Sequence, residues 1–410
     1  MPDAVDLRSR YFFLSYAHSP PLAGAPPEAP DRWVRTFFYD LTDAVNRLDS
    51  GGMDIALGFF DQEIPLGDNW RAAFADALSA AEVFVPLYSP GYFDRSWPGR
   101  EWECFRRRLI AAGAQSPLTR FLPVLWIPLN PGQEPDLLER ALALGAAESA
   151  YAENGLRALL RLAPYRESYR RIVDRLAGQI VELAKQAPIG PSVAPDIDTL
   201  RSPFRADDSA VGFVVAVATA PHLDVPAGGE SAAPWQPFPE IREASLTQYA
   251  AMLAEQLDFA VVLASLDKAE GEFGRNPGVI LIDPWYAADE KRLRELIRVT
   301  DGLPSWVLPV VVVNPAASQR ETELAQRVRT ILEASRAARS ETATQAVTGV
   351  GSLEQFVTLM PFLIAEAERQ YLRGGPSISS TARKRSRPTL FGGEWMASPV
   401  AGSPKEDRDE

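Results

Sequence analysis

The chain has 410 residues, 46% hydrophobic and 23% charged, a composition that packs into globular units, and its length suggests two or three of them. A single cysteine, Cys104, and two histidines, His18 and His222, exclude a disulfide framework and a His/Cys zinc cage, while a net charge of −12 argues against a general nucleic-acid partner. No apolar run reaches the ~18–20 residues of a membrane span and the first residues lack a basic leader, so a cytoplasmic protein with no membrane partner is expected.

Short apolar runs then alternate with amphipathic stretches, the pattern of a parallel sheet covered by helices. The first strand is expected at Tyr11–Tyr16 and a helix from about Asp31, with Trp33, Phe37, Leu41, Val45 and Leu48 on one face. Ile55–Phe60 reads as the second strand; a turn-rich loop from Asp61 to Gly67 leads into a helix whose Trp70, Phe74 and Leu78 face the core, with Asp68 as its cap. Val83–Leu87 is the third strand, Glu101 to about Ala112 a helix, Phe121–Ile127 the fourth strand, and Tyr165–Lys185 a closing helix. Cys104 is expected to be a buried small hydrophobe, and Arg106, Arg107 and Arg108 a solvated helix face.

The composition changes at Ala187, where a proline-rich stretch, 187–205, reads as a linker. A second series follows: strands at Val211–Val217, Phe259–Leu263, Val279–Ile282 and Val307–Val313, with helices near Ser245–Leu257, Ala288–Arg298, Ser318–Arg336 and Leu353–Tyr371. Phe121-Leu122-Pro123-Val124 is echoed by Val307-Leu308-Pro309-Val310, a weak sign of internal duplication. From Gly374 onward the chain is polar and is expected to be disordered.

In open parallel sheets, ligands bind where loops converge at the carboxyl ends of the strands. Three such stretches, taken in order, resemble the boxes of the Toll/interleukin-1 receptor (TIR) domain superfamily over residues 8–130. They are Tyr11-Phe12-Phe13-Leu14-Ser15-Tyr16; Gly58-Phe59-Phe60-Asp61 followed by Ile64, Gly67 and Trp70; and Leu87-Tyr88-Ser89-Pro90 followed by Tyr92, Ser96, Trp97 and Glu101. The resemblance implies an α/β chain of two flavodoxin-like, TIR-like three-layer domains with parallel central sheets. These are a TIR domain at 1–186, a degenerate TIR-like domain at 206–373, and the tail at 374–410.

It further implies that Glu101 is the catalytic residue of an NAD+ glycohydrolase site, with NAD+ as substrate and no bound cofactor or metal. Ser15, Tyr16, Ser96 and Trp97 would bind substrate, and Asp61, Ile64, Pro65 and Gly67 would form a partner-binding loop for self-association. Read as residues alone, Glu101 has a plainer role too, as an acid favoured near a helix N-terminus, and Trp97 as a ring packing that helix onto the sheet. His18 reads as a loop residue, with a catalytic role as the less favoured alternative. The whole chain resembles the TIR-like protein of actinobacterial FXSXX-COOH peptide-modification systems, which implies partners among peptide-modifying proteins. The alternative to an enzyme is therefore a non-catalytic TIR scaffold.

Overall fold

Apolar runs long enough for a strand but without alternation bury both faces, and such strands pair in parallel under helices. In a computed structural model of the chain, the described residues are 8–21, 31–49, 56–65, 68–130, 132–205, 211–219, 235–241, 244–314, 316–335 and 341–375. The first unit runs β1 (Arg10–Ser15), α1 (Arg32–Leu48), β2 (Ala56–Phe59), α2 (Trp70–Ala80), β3 (Ala81–Tyr88), α3 (Pro90–Asp94), α4 (Ser96–Ala111), β4 (Val124–Leu125), α5 (Pro135–Leu144), α6 (Ser149–Arg161) and α7 (Arg166–Gln186). Its sheet has the order β2-β1-β3-β4, all parallel. The helices α1 and α7 pack together on one side, and α2 and α4 on the other.

The second unit repeats this plan with β5 (Gly212–Ala218), α8 (Leu246–Gln256), β6 (Ala260–Ser265), α9 (Leu266–Phe273), β7 (Gly278–Ile282), α10 (Glu290–Asp301), β8 (Val307–Val311), α11 (Gln319–Ala334), α12 (Glu341–Thr348) and α13 (Leu353–Gly374). Its order, β6-β5-β7-β8, is the same topology, again parallel throughout. The chain is thus α/β with two four-stranded parallel sheets, as the alternating pattern predicts.

Three features position the site. Phe13 stacks between Phe59 and Phe84, with Phe74 edge-on, which ties β1, β2 and β3 to α2. Gly58 lies opposite Phe12 in the ladder, and a Cβ there would sit 2.2 Å from the Phe12 ring, so the second box needs glycine for space. Residues 187–205 do not hang free between the units. Ser192 and Ala194 amides bond to Ser79, the Cys104 thiol donates to the Pro195 carbonyl, and Phe204 packs on Tyr92, Phe93 and Trp102. The segment is a strap along the groove between α2 and α4. One face of the second sheet, with α8 and α13, continues the hydrophobic cluster of the first unit, while its other face has a cluster of its own.

Several expectations need correction. The helix carrying Glu101 starts at Ser96, a turn earlier than expected, so Glu101 lies in its second turn. The field of the helix dipole, strongest at the end, therefore does not account for its presence there. Asn69, not Asp68, caps α2, accepting from the Ala72 amide. The fourth strand shortens to Val124–Leu125 plus a bridge at Phe121, because Pro123 between them has no N–H to give. The span between β4 and α7 holds two helices, α5 and α6, that apolar spacing did not indicate, and the second unit adds α9 and α12. Arg108 is fully buried rather than solvated, while Arg106 and Arg107 pair with Glu103. Gly67 and the tail from residue 376 lie outside the described residues.

Candidate functional site

Successive residues of a strand point to opposite faces, so Ser15 and Tyr16, at the end of β1, enter two different polar clusters. Ser15 faces α4. Its hydroxyl donates to Glu101 Oε2, and its oxygen lies 2.9 Å from the Tyr92 hydroxyl. Tyr92 is held there by the short helix α3, which Ser89 caps by accepting from the Tyr92 amide. Glu101 is 5% exposed. Burial drives its carboxyl up from 4.5 to about 8; the Ser15 hydroxyl and the Trp97 indole oppose this by hydrogen bonding, as does His18 by charge, while Asp61 adds to it. The same burial, with Glu101 and Tyr88 nearby, pushes the Tyr92 phenol well above its ordinary value. At neutral pH the Glu101 carboxyl is held mostly protonated.

Tyr16 faces the loop after β2. Its hydroxyl donates to Asp61 Oδ1 at 3.2 Å and accepts from Gln62 Nε2 at 3.2 Å. His18 lies between two carboxylates, with Nε2 2.8 Å from Asp61 and Nδ1 3.3 Å from Asp31. Burial pulls the His18 imidazole down, but Asp61 and Asp31 outweigh it and hold its pKa at about 10. His18 is thus an imidazolium fixed in a carboxylate cage, a role that a lone histidine in a loop gave no means of reading. Only the fold brings Asp31 and Asp61 to it.

The substrate-binding residues named from sequence do not share one open crevice. Ser15 and Glu101 meet; Tyr16 joins the neighbouring cluster; Trp97 is 2% exposed and packs on Trp70 and Phe74, as the plainer reading of that ring has it. The backbone N–H and the hydroxyl of Ser96 both donate to Asp258 Oδ1 at 2.6 Å, from the turn after α8. Of the partner loop, Asp61, Ile64 and Pro65 line a cavity of about 770 Å³ between the units, with Trp70 beside them and Met252, Leu253 and Phe362 of the second unit opposite. Its size suits a small organic ligand. Glu101 does not line it.

The corresponding turn of the second unit is built differently, with the Tyr286 hydroxyl donating to Glu295 at 2.8 Å and Arg292 over the Tyr286 ring. Asp283 caps a short 3-10 turn by accepting from the Trp285 amide, and Asp289 caps α10.

Among the described residues no helix is long and apolar enough to cross a membrane. No curated protein and no solved structure matches the chain. A family model described as TIR domain matches residues 12–160, a stretch from β1 into α6 that contains Ser15, the Asp61 turn and Glu101, so the first unit is similar to TIR domains over that stretch.

Proposed function

We propose that this is a TIR signalling protein whose first unit carries an NAD+ glycohydrolase centre at Glu101, held closed in the arrangement described above. The observation that carries this reading is a carboxyl group buried at the carboxyl end of the central strand, bonded to Ser15, with its pKa raised to about 8. Breaking the nicotinamide–ribose bond expels a neutral base and leaves an oxocarbenium-like ribose, which a carboxylate at close range stabilises. A neutral, covered carboxyl cannot do so. Admitting water and substrate would remove the desolvation that keeps the group protonated and return it to its charged form. Opening and charging of the site are then one event. Self-association through the Asp61–Pro65 loop would likewise need that loop released from the second unit.

The experiment is nicotinamide release from NAD+ by the full chain, free and with oligomerisation forced, against Glu101→Ala. Release by the native chain and its loss in the variant support the reading. No release under either condition, or release unchanged in Glu101→Ala, overturns it.

The second reading, a non-catalytic scaffold, is favoured by a specific observation, the closure of Ser96 by Asp258. In that case the first unit offers a surface rather than a reaction. Partners would come from the peptide-modification setting that the whole-chain resemblance implies. Substitution of Ile64 and Pro65 should then abolish assembly while NAD+ stays intact.

A further inference from the structure

The residue after the last turn of a helix is commonly glycine, because the chain there adopts a left-handed conformation that a side chain resists. The chain has Asp258 at this place after α8, with φ of 75°. Its side chain is fully engaged across the two units. Oδ1 accepts from both the amide and the hydroxyl of Ser96, the first residue of α4, and Oδ2 accepts from Arg205 Nη1 at 2.7 Å. An acid at an α-helix start also meets the positive end of its dipole.

The rest of α8 reaches the same surface. The Tyr249 hydroxyl donates to the Asp68 carbonyl at 3.1 Å, Glu255 pairs with Arg71 at 2.8 Å, and Gln256 Nε2 lies 3.5 Å from Asp61 Oδ2. Arg205 is the end of the strap, whose Ser202 lies against Gly99 so closely that a Cβ there would be 1.9 Å from the Ser202 hydroxyl. Strap, α8 end and first turn of α4 therefore meet at one aspartate.

We propose that the second unit is a built-in cover of the Glu101 region, latched by Asp258 on Ser96 and Arg205, so that breaking this latch frees the strap and the first turn of α4 together. The physical claim concerns the latch alone; its consequence for NAD+ rests on the function proposed above. The α8 end occupies the residues, Ser96 and Asp61, that a ligand or a second copy of the chain would need. Such a partner gains access only by displacing it, and the energy of the latch sets the threshold for doing so.

The chain contains its own reporter. Cys104, its single cysteine, is fully buried one turn beyond Glu101, with the strap's Pro195 carbonyl over its thiol. Labelling of Cys104 in the full chain by an aromatic disulfide reagent therefore measures strap release. Asp258→Gly removes the latch while easing the backbone, since glycine suits a positive φ. Arg205→Ala removes the other half. Both should label faster than the native chain by about tenfold or more, as expected for loss of charge-assisted hydrogen bonds. Rates within about twofold of native in both folded variants would overturn the proposal.

Hydrogen exchange of the native chain tests it without substitution, should a variant not fold. Amides of residues 96–102 and 189–205 should exchange together and ahead of those in β1 and β3. Exchange of both segments only in step with β1 and β3 would also overturn it. Nicotinamide release is measured in the same samples. Faster labelling without release removes the catalytic reading and leaves the cover standing, whereas release with native labelling rates removes the cover and leaves the enzyme.

Discussion

The Ser15 hydroxyl donates to Glu101 Oε2 although the two residues are 86 positions apart in the chain. The bond joins the end of the central strand to the second turn of α4 in a buried place where an ionised carboxyl is costly. Glu101 keeps its proton there, with Tyr92, Asp61, His18 and the Cys104 thiol around it.

This makes the stability of the fold depend on pH. A carboxyl raised from 4.5 to about 8 contributes stability that is complete below 4.5 and is lost as pH rises through 8. Glu101→Gln keeps a neutral group of the same shape. Its unfolding free energy should therefore gain on that of the native chain between pH 4.5 and 8.5, by an amount on the order of a few kcal/mol, as read from urea unfolding. A constant difference across this range would show that the carboxyl is already ionised in the folded chain.

His18 titrates with the same sign over a higher window. Its pKa is raised from 6.5 to about 10, so the stability from its cage is complete below 6.5 and disappears as pH passes 10. His18→Gln should destabilise the chain at pH 6 and lie close to native at pH 10.5, as followed by thermal unfolding. Equal destabilisation at both values would mean that the ring acts by packing rather than by charge.

Arg108 holds the strap from below. Its guanidinium donates to the carbonyls of Leu78 and Ala81, where the bonds are buried, and to the Gly190 carbonyl and the Ser192 hydroxyl of the strap, where they are half-buried. Arg108→Met fills similar space but takes the guanidinium donors away from three carbonyls, and a loss of about 3–5 kcal/mol is expected in urea unfolding. A change under about 1 kcal/mol, the range of a solvated arginine, would contradict this account.

Gly99 is needed for contact rather than for backbone freedom. On propensity alone, Gly99→Ala should stabilise α4 by roughly 1 kcal/mol. The new Cβ would instead overlap Ser202, 1.9 Å from its hydroxyl and 3.1 Å from its Cα, and the variant should lose about 1–3 kcal/mol. Ser202→Gly in the same chain should recover part of that loss. Lack of any recovery in a double-mutant cycle would place the cost elsewhere.

What the sequence determined follows from local periodicity. The apolar runs at β1, β3, β5 and β7 and the one-sided face of α7 declare themselves because strand and helix repeats are short, and each residue's partner in the pattern lies within a few positions; on α1 the spacing finds Phe37, Leu41 and Val45 in the core, whereas Trp33 is half-buried and Leu48 exposed. The burial of Trp70, Phe74 and Cys104 and the three boxes of the first unit were legible for the same reason. The state of the site was not. Whether Glu101 faces solvent or Ser15, whether Trp97 is a platform or core, and whether Arg108 is wet or dry depend on segments that the fold brings in from far along the chain. Ser96 and Asp258 are 162 positions apart, and no local pattern links a hydroxyl in one unit to a carboxylate in the other. An acidic net charge and a scarcity of histidine and cysteine narrow the chemistries that the composition favours. Only the packing of the end of β1 and of the Tyr92 helix against α4 decided that the Glu101 carboxyl is buried and neutral, because burial, not residue type, sets the cost of the charge.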